Sequence, residues 1–495
     1  MPKTTIHRLQ TGVEGFDAIL GGGIPEYSFN LIAGPPGSGK TTLAHQMMFS
    51  LATPQRPALY FTVLGEPAVK MLRYQQQFDF FDEGKIGESV RFINLGEDTA
   101  SGDLDKVLTR IASAVQEYSP ALVFVDSFRS VMLASQSAGN SYLSVQQFIQ
   151  HLGILMASWQ ATSFLLGEYF SETDPNPIFT VADGLIWMRQ SVERNSVVRK
   201  MEILKLRGQA TLPGLHTFRM TSAGVHVFAP PPISGPRVIE STNRGRLSMG
   251  VAGLDELMGG GLPRGFSLLV AGPSGSGKSI LAAAFLLEGA NRNETGVIAA
   301  FEQRANLSRG KAVSDLIDSG KIGVVDTRAV PVSVDEVSQL LIAEITRLKA
   351  TRVVIDSLSG FELSLAPTFR EDFRESMARM VTALARTGAT ILMTSELEDR
   401  YTDLRFSPYG TAFLVDSIIV QRYIEIESRL LRVMAVVKVR GSSHSNELRL
   451  FEIDDAGIQI RGMLPDQEGL LGGRPTRRAR KAEYPSAQAA ERKQT

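Results

Sequence analysis

The strongest pattern along the chain is a series of short, unbroken apolar runs alternating with longer stretches of helical periodicity. Phe29 to Ala33 and Ser267 to Ala271 are such runs. Each leads into a Gly-rich segment and then a helical pattern, through Thr42-Leu43-Ala44 and Ile280-Leu281-Ala282 respectively. Later runs are Ala121 to Val125, Phe164 to Leu166, Val353 to Ile355 and Ile391 to Met393. A strand that is apolar at every position is covered on both faces, as in a parallel sheet with helices on either side. The pattern predicts an α/β fold with a mostly parallel sheet flanked by helices.

The whole pattern occurs twice. Gly34-Pro35-Pro36-Gly37-Ser38-Gly39-Lys40-Thr41 and Gly272-Pro273-Ser274-Gly275-Ser276-Gly277-Lys278-Ser279 both fit G-x-x-x-x-G-K-[ST], and their lysines are separated by 278 − 40 = 238 positions. The same spacing pairs Arg8 with Arg246, Gly12 with Gly250, Gly15 with Gly253, Asp17 with Asp255 and Pro25 with Pro263. A chance Gly-rich turn would not carry its upstream neighbours along. The chain therefore reads as a first domain over 1–229, a Pro-rich linker over 230–245, a second domain over 246–461 and a basic tail over 462–495. The tail contains Arg474, Arg477, Arg478, Arg480 and Lys481 but few large apolar residues to offset ordering entropy, so disorder is expected. It reads either as a solvated terminus or as a segment that docks a regulatory partner.

Composition narrows the class. At 495 residues the chain exceeds a single core and suits two domains. Lys+Arg and Asp+Glu both number 52, so no net charge draws it to nucleic acid or to a membrane surface. There is no cysteine, which excludes disulfides, thiolate metal sites and Cys nucleophiles. No apolar run approaches the roughly 20 residues needed to span a bilayer, and Met1 to Gln10 lacks the apolar stretch of a secretory signal. A cytoplasmic protein is the expectation.

The repeated loop carries phosphate chemistry. Its glycines let backbone amides curl around phosphate oxygens while the next helix presents its positive end to them. Gly34, Gly37, Ser38, Gly39, Lys40, Thr41 and Thr42 in the first copy, and Gly272, Gly275, Ser276, Gly277, Lys278, Ser279 and Ile280 in the second, are the expected ATP cradle. Lys40 and Lys278 are placed to reach the β- and γ-phosphates, and Thr41 and Ser279 to offer hydroxyls to Mg2+. Asp126 and Asp356, each ending an apolar run and followed by serine, stand where the second Mg2+ group of such a site belongs. An Asp there also reads as a turn or helix cap, but its repetition favours the metal role. Hydrolysis needs a carboxylate to orient or deprotonate water. Glu302 fits in the second copy; the matching position of the first is Leu64, with Glu66 two residues on, before Pro67, as a substitute or as a merely exposed side chain.

With these motifs in place, the chain resembles the KaiC family of RecA-like ATPases over nearly its whole ordered length. The resemblance rests on Thr11-Gly12-Val13-x-Gly15-x-Asp17 with Gly21-Gly22-Gly23, and on Gly250-Val251-x-Gly253-x-Asp255 with Gly259-Gly260-Gly261. Both P-loops, both Asp-Ser pairs, Lys205-Leu206-Arg207-Gly208 and Lys438-Val439-Arg440-Gly441 complete it. It implies two tandem RecA-like domains, a double-ring homo-hexamer with Mg2+-ATP between neighbours, and Lys205, Arg207, Lys438 and Arg440 reaching the neighbour's γ-phosphate. Glu168 and Glu396, at later strand ends, fit a phosphate-sensing or neighbour-facing role as well as a structural one.

The departures from the family pattern bear on function. The family's clock protein autophosphorylates an adjacent Ser-Thr pair, where this chain has Ala412-Phe413; Thr411 and Ser407 remain as displaced hydroxyls. The paired catalytic glutamates become Glu302-Gln303 in the second copy and Leu64-Gly65 or, with a shift, Gly65-Glu66 in the first. An ATPase whose nucleotide state gates conformation and partner binding is the leading expectation, with the second domain the better catalyst. A Ser/Thr autokinase, a DNA-dependent RecA- or helicase-like ATPase and a nucleotide-gated scaffold are the alternatives.

Overall fold

The computed structural model describes residues 6–63, 68–137, 142–171, 176–193, 196–231, 245–301, 310–326, 332–365, 373–397, 413–463, 467–468 and 476–477. The chain separates into two compact units, Met1–Pro230 and Pro231–Thr495.

In the first unit a nine-stranded sheet is built from β1 (Phe29–Gly34), β2 (Ala58–Thr62), β3 (Val90–Asn94), β4 (Leu122–Asp126), β5 (Thr162–Glu168), β6 (Gly184–Glu193), β7 (Ser196–Leu206), β8 (His216–Thr221) and β9 (Gly224–Phe228). Their spatial order is β3-β2-β4-β5-β1-β6-β7-β8-β9. The first six in that order run parallel, and the last three are added antiparallel at one edge. Every residue of β1 and β2 is buried because helices cover both faces, as the unbroken runs require.

Side chains alternate between those faces. On one, Ile32, Tyr60, Phe124 and Leu166 pack with Leu43, Ala44 and Met47 of α1 (Lys40–Leu51). On the other, Leu31, Ala33, Phe61 and Val123 pack with Val107 and Ile111 of α2 (Leu104–Tyr118) and Ile149 and Leu152 of α3 (Tyr142–Ser158). Burial of each such aliphatic or aromatic side chain stabilises by about 1.5–3 kcal/mol, so the loop between β1 and α1 is anchored on both sides by core.

The second unit repeats this plan with β10 (Ser267–Gly272), β11 (Gly296–Ala300), β12 (Ile322–Asp326), β13 (Arg352–Asp356), β14 (Thr390–Glu396), β15 (Ser417–Ile426), β16 (Arg429–Val439), β17 (Arg449–Asp454) and β18 (Gly457–Ile460). Their order, β12-β11-β13-β14-β10-β15-β16-β17-β18, matches the first sheet strand for strand. Leu281 and Phe285 of α4 (Lys278–Asn291) pack on one face. Val337 and Leu341 of α5 (Val334–Leu348) and Met377 and Met380 of α6 (Phe373–Arg386) pack on the other. Both long hairpins, β6–β7 and β15–β16, carry a register shift near their base, at Leu185/Ile186 and Ile418/Ile419. In the C-terminal segment, Gln467–Glu468 pairs antiparallel with Thr476–Arg477. Among the described residues no helix is long and apolar enough to cross a membrane.

Candidate functional site

Each P-loop sits at the carboxyl end of a central strand, where parallel sheets present ligands. β1 ends at Gly34 and α1 begins at Lys40; β10 ends at Gly272 and α4 begins at Lys278. The residue before each helix is a left-handed glycine, Gly39 at φ 100° and Gly277 at φ 104°. Gly39 cannot be replaced without displacing Met220, whose Sδ would stand 2.7 Å from an added Cβ. Neither helix start is capped by a side chain, which leaves its first amide donors turned toward the loop.

The two lysines fold back over their loops identically. Lys40 Nζ donates to Gly34 O at 2.9 Å and Pro35 O at 2.8 Å; Lys278 Nζ donates to Gly272 O at 2.9 Å and Pro273 O at 2.7 Å. Burial pushes the Lys40 ammonium below its ordinary pKa, opposed by the negative charges of Glu168 and Asp126. Phosphate oxygens are better acceptors for a buried ammonium than peptide carbonyls, so this arrangement suits an anionic ligand.

The aspartates close the sites. Thr41 Oγ1 donates to Asp126 Oδ2 at 2.9 Å, and Tyr60 OH, from β2, donates to the same oxygen at 2.8 Å. Burial raises the Asp126 pKa, while the bonds from Tyr60 and Thr41 and the charge of Lys40 oppose that rise. Burial and the Asp126 charge push the Tyr60 phenol well above its ordinary pKa, so it keeps its proton and serves as donor. In the second unit Asp356 Oδ1 accepts instead from Thr394 Oγ1 on β14. Among the described residues no hydrogen bond joins Ser279 to Asp356. The Asp126–Ser127 and Asp356–Ser357 peptide bonds are both cis. The cap of the helix Leu358–Ser364 is Ser357, whose Oγ accepts from Gly360 N at 3.0 Å, and Asp356 plays no part in it.

The remaining sequence-derived residues fall in three places. Glu168 and Glu396 end β5 and β14 in register with Gly34 and Gly272, beside the P-loops, and both side chains are exposed. The Lys-x-Arg pairs lie on interior strands, toward the opposite strand ends from the P-loops. Lys205 pairs with Leu185 near the start of β6, and Lys438 with Ile418 near the start of β15, next to the amino ends of β1 and β10. Lys205 Nζ donates to Thr180 O at 3.0 Å and Arg207 Nη1 to Asp183 Oδ1 at 3.0 Å; Lys438 Nζ donates to Val415 O at 2.7 Å and Arg440 Nη1 to Asp416 Oδ1 at 3.4 Å. Burial and then the adjacent arginine lower the pKa of each lysine. Glu66 and Glu302 lie outside the described residues, as do Leu64, Gly65, Gln303, Ser407, Thr411 and Ala412. Phe413 is described, exposed, with the Arg374 guanidinium 4.7 Å from its ring centroid.

Comparison with known proteins adds the lineage. A family model described as "ATPase: KaiC" matches residues 9–231 and again 247–464. The chain belongs to the KaiC ATPase family. It is an ATPase with two tandem RecA-like domains, each carrying a nucleotide-binding loop. Similar curated proteins include the circadian clock oscillator protein KaiC 1 of Synechocystis sp., 28% identical over 96% of this chain and 93% of its own length. The circadian clock oscillator protein KaiC of Rippkaea orientalis is 28% identical, over 95% and 92%. That of Picosynechococcus sp. is 27% identical, over 95% and 93%.

Tyr60 and Thr394 are the site residues that sequence reasoning missed. Each sits inside an apolar run and reads as core. The usable signal was the break in the repeat: the 238-residue spacing sets Tyr60 against Ile298 and His45 against Ala283.

Proposed function

We propose that this KaiC-family ATPase binds Mg2+-ATP at borders between subunits of a ring, two sites per chain, and that nucleotide state gates its conformation and its binding of a regulatory protein. The observation that carries this reading is the placement of the Lys-x-Arg pairs. In each unit they lie two strands across from the P-loop strand of the same chain and toward its amino end, the lysine level with Leu31 or Leu269, three residues before Gly34 or Gly272, and the arginine level with the first residue of that strand. Three to five residues along the strand and two strands across amount to roughly 14–19 Å, beyond the reach of a Lys or Arg side chain. The pairs are therefore available to another subunit's nucleotide and not to their own. The circadian role named for the relatives supports a signalling function.

Thr41 with Asp126, and Ser279 with Asp356, would hold Mg2+. This donor set suits the ion, which commonly takes one or two protein groups and leaves the rest of its shell to water and phosphate. Among the described residues no cluster of three or more His, Asp or Glu offers an all-protein cage. When bound, Mg2+ neutralises charge on the phosphates. In hydrolysis the bond from water oxygen to the γ-phosphorus forms as the bridging bond to ADP breaks. Glu302 takes the water proton in the second site, Lys278 and the loop amides stabilise the charge of the transferring group, and Arg440 of a neighbour adds to them. The second domain is the better catalyst on this reading because it retains Glu302, and the first, with Glu66 alone nearby, serves mainly to hold the ring together.

Subunit mixing tests the arrangement. Lys278→Ala and Arg440→Ala chains each lose most second-site turnover, and mixing them restores part of it, since some borders pair an intact loop with an intact arginine. No restoration in a verified mixed assembly would overturn the shared-site reading. Phosphosite mapping after incubation with ATP reads the autokinase alternative directly, as stable phosphate on Thr411 or Ser407.

A further inference from the structure

The two halves hold their metal-site aspartates with hydroxyls from opposite neighbouring strands. In the first unit the donor is Tyr60 on β2, whose register partner on β4 is Phe124, two residues before Asp126. The equivalent residue of β11 is Ile298, opposite Val354, which has no hydroxyl. In the second unit the donor is Thr394 on β14; its counterpart is Leu166, which stands opposite Asp126 on β5. The exchange is reciprocal, so each aspartate has one strand-borne donor.

Tyr60 is built in tightly. Its ring is fully buried, stacked 5.9 Å from Phe124 and packed at a tilt 5.4 Å from Phe92 and 4.6 Å from His45 on α1. Only its hydroxyl reaches the site, and it converges with Thr41 Oγ1 on Asp126 Oδ2. Two donors on one oxygen fix the plane of the carboxylate. Among the described residues no donor engages Oδ1, which stays available to the water shell of a cation. Thr41 can keep its bond to Asp126 while its oxygen lone pair faces the cation. Tyr60 has no such second task, and its geometry does not depend on the ligand.

We propose that Tyr60 is a positioning residue for the divalent cation of the first nucleotide site, holding Asp126 through its hydroxyl, and that the second site uses Thr394 on the opposite strand for the same purpose. The two sites of one chain then respond separately to substitution at these hydroxyls. Outer partners of metal-binding groups typically set affinity by about 10- to 100-fold, and here the effect falls on the cation and not on the nucleotide. The proposal rests on the Mg2+-ATP reading above.

The test uses the full chain carrying Lys278→Ala, so that the first P-loop alone reports. Binding of a fluorescent ATP analogue is followed in EDTA and across a Mg2+ titration, with and without Tyr60→Phe. The phenylalanine keeps the stacked ring and removes one oxygen. The expected result is an unchanged analogue affinity in EDTA and a half-saturating Mg2+ concentration raised about tenfold. An unchanged Mg2+ midpoint overturns the proposal alone. Equal weakening with and without Mg2+ also overturns it, since that marks a packing role. Absence of any Mg2+ effect in the Tyr60 parent overturns the Mg2+-ATP reading and the proposal with it. Should the phenylalanine chain not fold, Tyr60→Ile copies the residue that the second unit accommodates at this register and carries the same outcomes. In the reciprocal Lys40→Ala background, Thr394→Val is expected to raise the midpoint of the second site, whereas Tyr60→Phe leaves it in place.

Discussion

His45 lies on α1 beside the site and is fully buried against Tyr60 and Phe92. Burial pushes its pKa from the ordinary 6.5 down to about 4, with Gln75 working in the opposite direction. The sign of the linkage follows from the unfolded chain binding the proton first as pH falls. The neutral imidazole's contribution is complete above the unfolded value of 6.5 and is lost progressively toward pH 4. A shift of this size corresponds to about 3 kcal/mol. In His45→Leu the first unit should therefore lose less stability between about pH 7 and pH 4.5 than the native chain. The check is the urea midpoint across that range; an equal fall in both would show that other groups govern acid sensitivity. Such a residue is invisible to a motif search, because one histidine in an apolar helix looks like any other until its neighbours are known.

Arg352 opens β13; the corresponding first-unit residue is Leu122. In the structure α4 and the turn after it close over it. Its Nε donates to Glu294 Oε2 at 2.7 Å, its Nη1 to Ser248 O and Phe285 O at 2.8 Å each, and its guanidinium lies 4.6 Å from the Phe285 ring centroid. Burial works against the Glu294 carboxylate, but the bonds from Arg352 and Arg264 hold its pKa below the usual value. Helix α4 fits this close only because residue 289 is glycine: an added Cβ would stand 2.6 Å from Arg352 Cδ. Removing Arg352 leaves Glu294 paired with Arg264 but deprives the Ser248 and Phe285 carbonyls of their donor, and a buried acceptor left unpaired costs about 1–3 kcal/mol. Arg352→Met is thus expected to destabilise the second unit by about 1–3 kcal/mol in chemical denaturation. The double change Arg352→Met/Arg264→Met, which strips Glu294 of both cations, should cost more than the single one. If the double change is as damaging as the single one, packing around the arginine outweighs its charge.

On the proposed reading the two halves are unequal catalysts despite their duplicated P-loops. Turnover should collapse in Lys278→Ala and Glu302→Gln and largely survive in Lys40→Ala, by phosphate release from purified assemblies. If Lys40→Ala alone abolishes turnover, the ranking of the two domains is reversed and Glu66 becomes the base to substitute. Much of this organisation was legible beforehand. The unbroken apolar runs specify buried parallel strands, and G-x-x-x-x-G-K-[ST] specifies a phosphate cradle, because both depend on residues adjacent in sequence. The 238-residue spacing made the tandem plan visible without any contact being known. Strand register lay beyond that reading. It decides that Asp126 is held by Tyr60 from one neighbouring strand and Asp356 by Thr394 from the other. It also sets the Lys-x-Arg pairs toward the strand ends away from their own loops, and the packing of α4 buries Arg352 in the core. Spacing and periodicity are properties of a chain segment and determine what each element is. Which hydroxyl, carboxylate or guanidinium meets which depends on segments far apart in sequence, and only the folded sheet brings them together.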